Sequence, residues 1–168
     1  MKRLLLTLIL LPTLAFAQEK KYDPVYHLDI HGCYEYAITA LVHGDAGLES
    51  IAGKKKKKAI YFSKEYYTVG FPEEIDGCEI KFIDIDLNKE TLYKEQKSKK
   101  GVVMYMSVLN LTADTCDLWM IPIDMEKKGE EYSWSYSDGG CHVFYNFNKE
   151  AGKLGYLKTE CKEAKKED

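Results

Sequence analysis

The sequence predicts a mainly β domain: an antiparallel coiled sheet or small barrel of about six or seven strands, disulfide-stapled, with a short N-terminal helix. Three observations carry this reading. From Tyr132 to Phe147, aromatic and apolar residues alternate with polar ones on both sides of Asp138-Gly139-Gly140. Short strand-like runs at Ile60 to Val69, Cys78 to Phe82, Val102 to Leu111 and Cys116 to Ile123 are separated by glycine, proline or charged stretches. Five cysteines follow an apolar N-terminal leader, and an exported chain meets conditions in which cysteines pair.

The leader is Met1 to Ala17. Lys2 and Arg3 precede an apolar run from Leu4 to Leu11, and Ala15-Phe16-Ala17 offers small residues where a signal peptidase cuts. The run is too short to span a bilayer, and no later stretch supplies the roughly 20 apolar residues of a transmembrane helix. The expected organisation is a signal peptide over 1–17, a single β-rich domain over 18–161 and a charged flexible tail over 162–168. The product is then periplasmic or secreted.

Tyr22 to Ile30 reads as an edge strand with Pro24 near its start. In Cys33 to Val42, Tyr34, Ala37, Ile38 and Leu41 keep helical spacing, and Gly44 suits a helix end. Lys54 to Lys58 is a solvated loop, with contact to an anionic surface as its functional alternative. In Cys78 to Phe82 the apolar residues fall on even positions, whereas Ile83, Ile85 and Leu87 fall on odd ones. That phase switch suggests a bulge or sharp bend. Asn88 to Gly101 reads as an exposed loop or short helical turn. Pro122 removes a ladder donor, so its strand should end there or lie at an edge.

The Asp-Gly pair at Asp138-Gly139 predicts a tight hairpin that sets Tyr136 against Cys141, Trp134 against Val143 and Tyr132 against Tyr145. A further turn through Lys149 to Lys153 returns the chain over 154–161. Tyr145 then faces Leu157, Val143 faces Thr159 and Cys141 faces Cys161. Directly opposed residues are within bridging range, so Cys141–Cys161 is the predicted disulfide. Cys33, Cys78 and Cys116 leave room for one more bridge and one free thiol, with no preferred pair.

Composition excludes more than it identifies. Removing the leader takes 24 basic residues to 22 against 27 acidic ones, about −5, and it removes Arg3, the single arginine of the chain. An acidic domain without arginine lacks the bidentate donor that recognises phosphate and guanine, so nucleic acid is set aside. No GxSxG elbow, CxxC pair or glycine-rich phosphate loop occurs. Asp84 to Glu95 imitates calcium-loop spacing but places Lys89 where the turn requires glycine. An unpaired cysteine beside His142 or His43 reads as a structural thiol rather than a nucleophile.

The functional expectation is an exported non-enzymatic binding domain with a protein partner. It could inhibit or neutralise a secreted enzyme or act as an envelope accessory factor, and no cofactor is called for. The alternative is a zinc- or copper-binding protein. On a strand, His27, Asp29 and His31 would project from one face as an imidazole–carboxylate set, with His43 or His142 as a fourth ligand.

Overall fold

The computed structural model describes residues 28–52, 57–64, 70–98, 101–112 and 115–163. Leu28 exchanges backbone hydrogen bonds with Leu154, and then Asp29 turns the chain into a helix. Its carboxylate accepts the Gly32 N–H at 2.7 Å, which starts α1 (Ile30–His43). Gly44, at φ 73°, ends it by donating to Ala40 and Leu41. Cys33, Tyr34, Ala37, Ile38 and Leu41 lie on its buried stripe, as their spacing requires. The strand expected over 22–30 therefore stops at Leu28 in the described residues, while Tyr22 to His27 lie outside them.

A 3-10 turn (Asp45–Gly47) and α2 (Glu49–Ala52) lead to the sheet. Its strands are β1 (Ala59–Ser63), β2 (Glu74–Ile75), β3 (Cys78–Ile83), β4 (Gly101–Met106), β5 (Asn110–Leu111), β6 (Thr115–Lys128), β7 (Glu131–Tyr136), β8 (Gly140–Asn148) and β9 (Lys153–Lys162). Helix α3 (Ile85–Ser98) lies between β3 and β4. The strand order is β2-β3-β1-β4-β6-β8-β9, with β5 and β7 also paired to β6.

The mainly β, disulfide-stapled character matches the sequence, but the sheet is open and mixed rather than wholly antiparallel. β1 runs parallel to both β3 and β4. Parallel strands need a long crossover, and α3 supplies the one that carries the chain from β3 to β4, on opposite sides of β1. The sequence phase switch after Phe82 marks the end of β3, not a bulge. Asp84 then accepts the Leu87 N–H at 3.1 Å and starts a full helix where a strand and loop were expected.

The second correction concerns the Asp-Gly hairpin. β7 and β8 do not pair with each other. Both lie along β6, with Ile123 opposite Tyr136 and Met120 opposite Cys141. Ile121 and Pro122 thus face Ser137 to Gly140, a two-residue surplus that makes a bulge. Ser137 donates to the Pro122 carbonyl at 2.9 Å, and the reciprocal bond is impossible because proline has no N–H. Gly140 is needed because a Cβ there would sit 3.0 Å from the Met120 carbonyl oxygen. The true hairpin turn is Gly129-Glu130, flanked by the Lys128–Glu131 pair, with Gly129 at φ 64°. Pro122 therefore sits inside a long central strand, at its bulge.

Two cores result. α1 covers one face with Ile60, Phe62, Met104, Met106, Leu118, Met120, Val143 and Tyr145 beneath it. On the other face α3 packs Ile85 and Leu92 against Val103, Ile123 and Met125. β4 pairs with β6 only up to Pro122, so the next β6 groups on that edge lack a strand. The Gln96 side chain replaces it, donating to the Ile123 carbonyl at 2.9 Å and accepting from Met125 N at 3.3 Å. Gln96→Leu should therefore cost about 2 kcal/mol in a urea melt, because two partly buried backbone groups lose their partner. An unchanged midpoint would show that solvent satisfies them.

Candidate binding face

β6 has period-two alternation, so Cys116, Leu118 and Met120 point toward α1 while Asp117, Trp119 and Ile121 take the opposite side. Helix α3 packs on that opposite side against β4, β6 and β7. It leaves open the part bearing Trp119, which is 43% exposed, together with Tyr136 at 50% and Trp134 at 37%.

The open face is held rigidly. Trp119 stands opposite His142, and their rings stack at 3.9 Å with 16° between planes. Phe144 covers the imidazole at 4.0 Å, and Lys158 Nζ sits 4.8 Å from the Phe144 ring centre. The Trp119 N–H donates to Ser107 Oγ at 2.8 Å, and Ser107 N donates to the Trp119 carbonyl at 2.9 Å. Tyr136 packs 4.9 Å from Tyr105 and 5.6 Å from Trp134, whose indole N–H donates to Asp86 at 3.3 Å.

Two residues before Trp119 on the same face of β6 lies Asp117, a carboxylate buried to 8% exposure. One oxygen takes His142 Nε2 and the other accepts from Asn110 Nδ2 at 3.2 Å. Asp117 holds the imidazole at Nε2, and Trp119 and Phe144 pack against the ring. The pair fixes the rings around it. Lys158 bonds Glu160 and, by that bond first, holds the Glu160 carboxyl below its usual range.

The residues singled out in the sequence are placed elsewhere. Asp29 is the helix cap and His31 lies in the first turn of α1, so the extended face they were expected to share is not formed. A short polar residue three before Gly32 favours capping over a strand. His31 stacks on Phe71 at 4.4 Å and lies 3.8 Å from Glu35. His27 is outside the described residues, as are Met1 to Ala17 and most of the lysine run. His43 bonds Asp76 and lies 3.7 Å from Asp45, far along the helix from His31. Among the described residues, no three His, Cys, Asp or Glu side chains are gathered to hold a metal.

Cys141 and Cys161 form the disulfide, with Cα atoms 4.1 Å apart and the expected register. Val143 also faces Thr159, but Tyr145 faces Tyr156 because a bulge intervenes at Leu157. Cys33, Cys78 and Cys116 are buried and lie outside this bridge. Burial pushes Cys33 up to about 12 and Cys116 to about 11, from an ordinary value of 9.0. The folded state holds these protons more tightly than the unfolded one. Stability present below pH 9.0 should therefore fall as pH rises toward 12. Urea midpoints between pH of about 8 and about 11 should show this decline, and Cys33→Ala should make it shallower.

No family model, characterised protein or solved structure matches this chain. The functional reading therefore stands on the face itself. The sequence pattern put Tyr132, Trp134 and Tyr136 on one strand face but did not bring Trp119 together with Trp134 and Tyr136. Their common exposure depends on where α3 stops, which no local pattern records.

Proposed function

We propose that this chain is an exported, non-enzymatic binding domain that engages a protein partner in the envelope or outside the cell. The observation that carries the reading is the rigid open aromatic face of Trp119, Trp134 and Tyr136, bordered by Asp86, Lys158 and Glu160. Trp and Tyr dominate the energetic centres of protein interfaces, and a mixed polar border is their usual surround. Rings already locked by stacking lose little side-chain entropy on binding. A secreted enzyme neutralised by the domain, or an envelope protein assisted by it, fits this chemistry.

The test is capture by the oxidised domain from envelope and culture fractions of the source organism, followed by titration calorimetry with the purified partner. Trp119→Ser should weaken binding at least about 30-fold, the scale of an interface hot spot. Its melting temperature should shift by only a few degrees, since Trp119 lies outside both cores. Binding that ignores Trp119→Ser, Trp134→Ser and Tyr136→Ser alike would refute the face as the interface.

A further inference from the structure

The five cysteines differ sharply in access. Cys33, Cys78, Cys116 and Cys141 are all fully buried. Cys161 alone is exposed, near the end of β9, which among the described residues pairs with β8 and, at its start, with Leu28. Its sulfur lies 3.3 Å from the Gly47 carbonyl oxygen, whereas Cys141 Sγ is covered by Ser50 Oγ at 3.8 Å. The next pair along the ladder is His142 with Glu160, and then Phe144 with Lys158 two rows on. The bridge thus ties down the strand end that borders the aromatic face.

We propose that Cys141–Cys161 is a thiol–disulfide exchange site, opened at Cys161 by an external dithiol, and that opening loosens the β9 border of the binding face. A thiolate of the dithiol attacks Cys161 Sγ and forms a mixed disulfide. The Cys141–Cys161 bond breaks, and its electron pair leaves on Cys141 Sγ, which takes up a proton. The second thiol of the reagent then attacks the mixed disulfide and releases Cys161 as a thiol. The protein gains two electrons and two protons, and the dithiol becomes a disulfide. The remaining cysteines stay inert because thiolate attack requires access, which burial denies them. The exchange chemistry stands alone, while its regulatory use rests on the binding reading above.

Brief native treatment of the oxidised protein with dithiothreitol, alkylation and peptide mapping test the site. Cys161 should be labelled while Cys33, Cys78 and Cys116 remain unlabelled. Amide hydrogen exchange over 157–162 should quicken at least about tenfold, with β1 and β4 still protected. Cys161→Ser should show the same fast exchange without reductant. Labelling of all cysteines together, at the rate of global unfolding, would overturn the proposal. So would Cys161 labelling with no change in exchange over 157–162. If selective opening is observed but Trp119→Ser, Trp134→Ser and Tyr136→Ser all leave partner binding intact, the binding reading fails and the exchange site stands. If Trp119→Ser abolishes binding while reduction leaves affinity unchanged, the regulatory use is refuted.

Discussion

Replacing both members of the disulfide, Cys141→Ala with Cys161→Ala, should lower stability by about 3 kcal/mol, or about 10 °C in melting temperature. The bridge closes a loop with a sequence separation of 20. In the chain-entropy picture, a loop of that size costs the unfolded ensemble about that much conformational freedom. The native state offers little compensation, because β9 has β8 on one side and, among the described residues, only Leu28 at its start on the other. Chemical reduction of the wild-type protein isolates the bond from the packing change at Cys141, which is fully buried. A shift below about 1 kcal/mol by both routes would mean that the unfolded chain already keeps these strands together.

The largest loss from a single substitution is expected at Tyr145. It is fully buried, and its hydroxyl donates to the Cys33 carbonyl at 2.7 Å. It thus joins the first turn of α1 to β8. Burial raises its phenol far above the ordinary value, so it remains a protonated donor through the neutral range. Tyr145→Ala should cost about 4 kcal/mol from cavity and lost contacts together, and Tyr145→Phe about 1 to 2 kcal/mol from the unpaired carbonyl. Urea unfolding measures both. Equal losses for the two variants would assign the whole effect to the hydrogen bond; a neutral Tyr145→Phe would assign it to packing.

Cys141 and Cys161 were legible as a pair because their register follows from one short turn and from alternation on adjacent strands. Helix α1 was equally legible, since its apolar spacing and Gly44 are both local. The Asp138-Gly139-Gly140 segment was misread because the same residues serve a tight turn and a bulge. The choice is made by Pro122, which withholds a donor from the strand beside it. Ile83, Ile85 and Leu87 alternate over too short a window to separate strand from helix, and the Asp84 cap decides for helix.

The sequence by itself determined the mainly β class, the buried stripe of α1 and the disulfide. Each depends on residue type or on spacing within one turn or one strand pair. The tertiary structure alone decided the parallel trio of β3, β1 and β4, the shared use of β6 by β7 and β8, and the open aromatic face. Those depend on which distant strand supplies a donor and where a helix ends, because hydrogen bonding and burial are satisfied over the whole sheet rather than segment by segment.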